Sequence, residues 1–224
     1  MVKYSFVLPC RNEEKNVAKC ISRINISMES IGDYEIIVSD SSKDRSAEIA
    51  EGLGAIVVRH NKQGYGNAFK EGFKKVRGEI VIIGDSDNTY DFSEAIPMLK
   101  YIPEFDFVIG RRKYIQKNAM PWLHKYIGNP VLSFMLRILF GGNIQDCHSG
   151  FRVIKAEKLK ELNLDSTGME FASEMIIKAL QRKYRIKEIP VHYMTRHGES
   201  KLNSFQDGWR HVKFMVKHKF GMEF

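Results

Sequence analysis

The sequence is poor in the residues that mark specialised classes of chain. Its three cysteines, Cys10, Cys20 and Cys147, form no Cys-x-x-Cys pair and are odd in number. A disulfide framework and a structural zinc centre are therefore not expected, and a reducing cytosol is the natural setting. Six prolines and 17 glycines in 224 residues are too few for a linker-rich or collagen-like chain. No apolar run reaches the ~18 residues of a membrane-spanning helix. The N-terminus runs through a short strand-like segment into Arg11-Asn12-Glu13-Glu14, which is not a secretory signal. What remains is 43% hydrophobic and 28% charged, a composition that builds a core and argues against disorder. With no repeat or linker, one domain over 1–224 is expected.

Charge is unevenly placed. Lysine plus arginine number 35 and aspartate plus glutamate 27, a net +8. Residues 1–100 hold 14 basic and 15 acidic side chains, whereas residues 101–224 hold 21 and 12. Six of seven histidines also lie in the second half. Such asymmetry points to an anionic partner there: phosphate, nucleic acid or a membrane surface. No helix-turn-helix, aromatic RNA-binding signature or zinc-finger spacing accompanies the basic residues, so nucleic acid is not the expected partner.

Apolar runs at 4–8, 35–38, 55–58, 79–84 and 105–110 alternate with helical patterns at 13–31, 44–53, 66–76 and 93–101. Strands that are continuous Val and Ile are buried on both faces. Alternated with helices they predict an α/β fold with a mainly parallel central sheet flanked by helices. Beyond them come a basic loop at 111–121, a helix at 122–140 broken at Pro130, and a strand at 150–154. A helix at 170–183, a strand at 186–191, a polar loop at 196–201 and a basic helix at 205–220 follow. The pattern reads as a nucleotide-binding front, 1–110, and a specialised back, 111–224.

In an open α/β sheet, ligands bind beyond the carboxyl ends of the strands. The tips carry Pro9 to Glu13, Ser39 to Asp44, Asp85 to Thr89, and Arg111 with Arg112. Helix capping accounts for Ser42 and Asp44. It accounts poorly for Asp85 and Asp87, because two carboxylates so close repel. Asp85-Ser86-Asp87 at a strand tip suits a hard divalent cation, Mg²⁺ or Mn²⁺, that keeps few protein ligands and takes phosphate oxygens and water. Gln63-Gly64-Tyr65-Gly66-Asn67 is no dinucleotide fingerprint, since Phe69 stands at the third glycine. Its glycines turn the chain into a helix. Cys147-His148 is not expected to pair, because neighbours on an extended chain point apart.

Taken together these motifs resemble family 2 glycosyltransferases, within the polyprenyl-phosphate (dolichyl-phosphate) hexose synthase group. The resemblance spans nearly the whole chain. It rests on Val7-Leu8-Pro9 with Asn12-Glu13-Glu14, on Val38 followed by Asp40-Ser41-Ser42 and Asp44, and on Gly84-Asp85-Ser86-Asp87. It continues through Gly110-Arg111-Arg112, Ser149-Gly150-Phe151-Arg152, and Arg196 with Gly198-Glu199-Ser200-Lys201. It implies the GT-A fold, a nucleoside-diphosphate hexose donor (GDP-mannose or UDP-glucose) and a divalent metal. Pro9, Arg11 and Glu13 would line the base pocket, with Val38 and Asp40 on base and ribose. Asp85 and Ser86 would meet ribose and diphosphate, and Asp87 would hold the metal with Asp85. Arg112 would bind a phosphate near the acceptor, with Ser149 and Arg152 shaping that side. Arg196, Ser200 and Lys201 would close over the donor diphosphate. Residues 1–110 become the donor half and 111–224 the acceptor half. Arg11 stands where an aromatic is common, Ser39 where a first Asp is usual, and Thr89 where relatives place a metal-binding glutamine. Many members also carry C-terminal membrane helices, and none lies within this sequence.

The implied reaction is inverting transfer of mannose or glucose to a polyprenyl or dolichyl phosphate. That acceptor is already ionised at neutral pH, so no strong base is required; Glu170 and Glu174, one helical turn apart, are the reserve candidates. The alternative keeps the fold and glycosylates a glycan or protein. Two amphipathic stretches suit a membrane interface or packing on the sheet. One holds Val131, Leu132, Phe134, Met135, Ile138 and Leu139 around Arg137; the other holds Phe205, Trp209, Val212 and Val216 among basic residues. The expected location is peripheral, at the cytoplasmic face of a membrane.

Overall fold

The computed structural model describes residues 2–196 and 204–221. Seven strands form one sheet: β1 (Tyr4–Cys10), β2 (Tyr34–Asp40), β3 (Ile56–Arg59), β4 (Ile80–Ile83), β5 (Phe107–Ile115), β6 (Arg152–Lys155) and β7 (Ile186–Tyr193). Their order is β3-β2-β1-β4-β6-β5-β7. Every neighbouring pair is parallel except those made by β6, which runs against both β4 and β5. The helices are α1 (Val17–Met28), α2 (Ser46–Gly52), α3 (Tyr65–Phe73), α4 (Ala95–Leu99), α5 (Asn129–Phe140), α6 (Ala156–Glu161), α7 (Phe171–Gln181) and α8 (Ser204–Phe220).

The Val/Ile runs are buried on both faces because each strand feeds two cores. Phe6, Leu8, Val38, Ile82, Val108 and Val153 pack with Val17, Ile21 and Ile24 of α1. Their alternates Val7, Ile37, Val81, Ile83, Ile109 and Ile154 pack with Phe69 of α3 and with Phe171, Met175 and Ile176 of α7. Period-two alternation thus divides each strand between two helical layers.

The back half departs from expectation in three places. The basic segment after Gly110 is not a loop as far as Ile115; β5 continues along β7, with an irregularity between Arg112 and Tyr114. Pairing with an edge strand satisfies its backbone whatever its side chains, and Pro190 is tolerated in β7 because that strand is the edge. Pro130 does not break a helix but sits in the first turn of α5, where its missing N–H costs nothing, after a wide π-type turn at His124–Gly128. The short α6 has no counterpart in the sequence reading.

Gly64 and Gly66 do turn the chain into α3, Gly64 with φ +108°, and they also admit a second backbone. A Cβ on either would lie 2.2 and 2.3 Å from the carbonyl oxygens of Thr167 and Ser166. Gly66 N donates to Gly168 O at 3.2 Å, and Asn67 N to Thr167 O at 3.2 Å. Glu174, fully buried, anchors this segment. It accepts from Asp165 N (2.8 Å) and Ser166 N (2.9 Å) and pairs with Lys178 at 2.8 Å. It is therefore a structural anchor rather than a reserve base.

Gly66→Ala is expected to destabilise the protein by about 1–3 kcal/mol through overpacking. Gly52→Ala, at the end of α2 with open space around it, is expected to be neutral or stabilising by about 0.4–1 kcal/mol. Chemical denaturation of the two variants measures the contrast, and equal effects would contradict the close approach.

Candidate active site

The strand order reverses between β1 and β4, so the crevice of this sheet opens at their carboxyl ends. There Ser86 Oγ donates to Pro9 O at 2.7 Å and joins the two tips. The loops after β1 and β2 interlock. Asn12 N donates to Ser42 Oγ (2.8 Å), Lys43 N to Asn12 Oδ1 (2.9 Å) and Glu13 N to Ser46 Oγ (2.8 Å). Asn12 takes φ +57°, which asparagine tolerates better than most residues.

Asp40 shapes this rim: its oxygens accept from Ser42 Oγ at 2.6 Å and Ser42 N at 3.0 Å. Asp44 accepts from Ser46 N at 3.0 Å from one position before the N-cap of α2, which is Arg45. Arg11 is exposed on the same rim, and Glu13 accepts from Asn16 Nδ2 at 2.7 Å. Val38 does not reach the crevice. At 0% exposure its side chain belongs to the core beneath it.

Asp85 and Asp87 stand just beyond β4. Tyr65 OH donates to Asp85 Oδ1 at 2.9 Å. A Cβ on Gly150 would lie 2.7 Å from Asp85 Oδ2 and 3.0 Å from Tyr65 OH, so a larger residue there would push the carboxylate or its tyrosine aside. Asp87 Oδ1 accepts from Thr89 N (3.1 Å) and Thr89 Oγ (2.6 Å), and Asp87 Oδ2 pairs with Arg196 Nη2 at 2.7 Å. Thr89 therefore orients the carboxylate. Burial, followed by the charge of Asp87, pushes the Asp85 carboxyl up to about 7.

Arg112 lies at the crevice on β5. Its Nε and Nη2 form a fork on Asp146 at 2.8 and 2.7 Å, and its guanidinium lies 5.3 Å from the Tyr193 ring centroid. Burial alone would raise the Asp146 carboxyl, but Arg112 overrides it and holds the group below the usual carboxylate range. Ser149 and Arg152 are not on the surface. Ser149 Oγ donates to Gly110 O, and Arg152 donates to the carbonyls of Ser149 (2.8 Å) and Cys147 (3.1 Å). Both are buried and fix the 147–150 turn from beneath. Ser200 and Lys201 lie outside the described residues.

Cys147 and His148 do meet, contrary to expectation, with Sγ 3.1 Å from Nδ1. The chain turns there instead of extending. The contact is no nucleophile pair, because burial pushes the thiol up to about 12 and drives the imidazole well below its usual value. Tyr65, Gly150 as a neighbour of Asp85, and Asp146 escaped the sequence reading. Gly-Tyr-Gly was read only for its glycines, and nothing local marks Asp146.

Among the described residues no group of three or more His, Cys, Asp or Glu forms a metal cage. The chemistry of the donor set nevertheless fits a cation. Two adjacent carboxylates share one directly paired cation, Arg196 on Asp87, and Asp85 is raised by burial and by Asp87; a hard divalent ion, with ligand oxygens and water in its remaining positions, would supply further positive charge.

A mainly parallel sheet covered on both faces, with Asp-x-Asp at the crevice, is the architecture of the GT-A glycosyltransferases. The solved structures agree on the fold. Mannosyl-3-phosphoglycerate synthase from Rubrobacter xylanophilus matches with a TM-score of 0.80 and 20% identity, over 98% of this chain and 75% of its own. Glucosyl-3-phosphoglycerate synthase from Mycobacterium tuberculosis, solved with Mn²⁺, uridine diphosphate and glucosyl-3-phosphoglycerate, matches with 0.76 and 22%, over 100% and 81%. The chain belongs to glycosyl transferase family 2, whose model matches residues 5–162. Two relatives come from Haloferax volcanii. A low-salt glycan biosynthesis hexosyltransferase is 42% identical over 98% of this chain, which spans 54% of that protein's length. A dolichyl-phosphate hexose transferase is 30% identical over 97% of this chain and 96% of its own.

Asp85 yields a stability prediction. Because its folded value lies above the ordinary carboxylate value, the folded state binds a proton that the unfolded chain releases between about pH 4 and 7. Stability of the metal-free protein therefore falls as pH rises through that window. Asp85→Asn removes the charge, and its thermal midpoint is expected to exceed the parent's most clearly above pH 7. The gain is at most on the order of 4 kcal/mol. A variant less stable than the parent at pH 8 would contradict the assignment.

Proposed function

We propose that the protein transfers a hexose, mannose or glucose, from GDP-mannose or UDP-glucose to a polyprenyl or dolichyl phosphate with inversion at the sugar. One observation carries this reading: two carboxylates and two guanidinium groups, Asp85, Asp87, Arg112 and Arg196, converge on one sheet edge closely enough to perturb one another. That mixture suits a diphosphate held through a cation and a second phosphate held directly. The names of the Haloferax relatives support hexose transfer, and that of the full-length relative supports a lipid phosphate acceptor.

Arg11 and Glu13 on the rim, with the Pro9 backbone and the turn held by Asp40, would receive the base and ribose. Asp85 and Asp87 would hold Mg²⁺ or Mn²⁺. When bound, such an ion stabilises negative charge on the departing diphosphate. Ser86 keeps the tips of β1 and β4 in register for that contact. Arg196, with Ser200 and Lys201, would take the donor diphosphate, and Arg112 the acceptor phosphate. Asp146 leaves Arg112 with a fixed fork, so its remaining N–H groups are aimed without loss of side-chain freedom. The acceptor oxygen is already anionic and needs no base. The first 110 residues would thus serve the donor, and the remainder the acceptor together with the donor diphosphate.

The acceptor half also offers a surface for lipid. Phe134 (56% exposed), Ile138 (69%) and Trp209 (60%) project from α5 and α8, with Trp122 and Tyr126 just before them. The inward faces are different residues: Ser133 and Leu136 on α5, His211 and Met215 on α8. Arg137, Lys213 and Arg210 lie on the same helices. No helix among the described residues is long and apolar enough to cross a membrane. We place this face on the anionic surface of a bilayer, at its cytoplasmic side, peripherally bound.

Two measurements test the reading. With detergent-dispersed polyprenyl phosphate and metal, one of the two donors is expected to release its nucleoside diphosphate. Asp87→Asn should lower turnover at least ~100-fold while the protein still unfolds in one cooperative transition. Activity only with a glycan or protein acceptor would favour the alternative. In flotation with anionic vesicles, Phe134→Asp with Ile138→Asp is expected to weaken binding at least about tenfold through lost apolar burial. Added salt should release the parent, since charge is screened over about 8 Å at physiological strength. Parent protein that stays unbound at low salt would remove the membrane role.

A further inference from the structure

The hydrogen bonds of Asp87 leave one route to its carboxylate. Oδ1 receives both the N–H and the hydroxyl of Thr89, which occupies the two lone pairs of that oxygen. Oδ2 holds the Arg196 guanidinium at 2.7 Å. The pair is mostly shielded from water, with 24% of the Arg196 side chain and 9% of the Asp87 side chain exposed. Nor is it a chance reach of a long side chain. Met194 N donates to Thr89 O at 2.8 Å, so the strand end that carries Arg196 is tied to the turn that carries Asp87. Thr195 N donates to Gln116 Oε1 at 3.0 Å and fixes the chain on the other side of that tie.

We propose that Arg196 is a resident cation for Asp87 that makes metal binding conditional on the diphosphate of the donor. The inference rests on the metal and nucleotide reading above. A divalent ion and the guanidinium compete for Oδ2. With no diphosphate present, the ion must displace a charge-assisted hydrogen bond and leave a mostly buried arginine without its anion. A diphosphate offers that arginine a second acceptor matched to its planar fork. Donor binding then releases Oδ2 to the ion. By linkage, the ion strengthens donor binding by the same factor. Arg196 also neutralises Asp87 in the ligand-free protein, so two adjacent carboxylates are kept together before substrate arrives. Arg196 thus positions Asp87 before donor binding and serves the diphosphate afterwards.

The test is Mn²⁺ affinity of the full chain, followed by the electron paramagnetic resonance of free Mn²⁺, with and without uridine or guanosine diphosphate. Without nucleotide, Arg196→Ala is expected to bind Mn²⁺ on the order of tenfold more tightly than the parent, the scale of one charge-assisted hydrogen bond. Addition of the nucleotide should tighten Mn²⁺ in the parent and do so on the order of tenfold less in Arg196→Ala. Arg45→Ala removes one exposed arginine from the loop before α2 and should leave both affinities unchanged. A melting curve confirms that each variant is folded. Equal nucleotide-free affinities for parent and Arg196→Ala, or an equal gain from Arg45→Ala, overturns the exchange while leaving the metal reading intact. Failure of every protein to bind Mn²⁺ even with nucleotide overturns both.

Discussion

The reversed direction of β6 is the constraint on which the crevice depends. A fully parallel sheet would bring only strand carboxyl ends to this edge. Because β6 runs against β4 and β5, its entering residues arrive there instead, with Arg152 opposite Ile83. The turn before it, Cys147 to Gly150, is thereby set against Asp85. Arg152 then closes the arrangement from below, donating to two carbonyls of that turn. A buried arginine is tolerable because those carbonyls and the Phe107 ring surround it. The same turn delivers Asp146 to Arg112, so one antiparallel strand orients both a carboxylate and a cation of the site.

Charge at the crevice is arranged for function at the expense of stability. Arg112 and Asp146 are a satisfied buried pair with fork geometry. Asp85 is different: one tyrosine hydroxyl does not compensate burial next to a second carboxylate, and its carboxyl titrates near neutrality. A protein selected only to fold would place an amide there. Two adjacent carboxylates, of which Arg196 pairs directly with Asp87, suit a site for a divalent ion and a phosphorylated donor. Thr89, Tyr65 and Arg196 hold that pair in one geometry while no ligand is present.

The acceptor half shows how two similar stripes can be used differently. On α5 the exposed apolar residues alternate around a narrow inward face made by Ser133 and Leu136. On α8 the inward face contains His211, which meets Ser173 Oγ at 2.8 Å and the His148 ring at a centroid distance of 4.2 Å. The two helices pack on each other and on α7, and Leu136 of α5 and Met215 of α8 join the core on that side of the sheet. Their outward aromatics meet cations of their own helices, Phe134 with Arg137 at 5.7 Å and Trp209 with Lys213 at 5.8 Å, and stay largely exposed.

The sequence alone determined the alternation of strands and helices, the burial of the sheet on both faces, and the placement of Asp85 and Asp87 at a strand tip. These are local properties: a run of Val and Ile states its own burial, and the chain position of an Asp relative to its strand states which edge it occupies. The family motifs extended this to Arg112 and Arg196. Tertiary structure decided the rest. Strand direction within the back half, the extension of β5 through a basic segment, the fork of Asp146 on Arg112 and the pairing of Arg196 with Asp87 join residues 34 to 109 positions apart. Tertiary structure also set Tyr65 beside Asp85, 20 positions away, and gave Gly64 and Gly66 their second role. Contacts of this kind are fixed by how loops close and which strand edges remain open, and neither leaves a period in the sequence. Val38 shows the converse: its motif marks the right strand, but period-two alternation turns its side chain into the core.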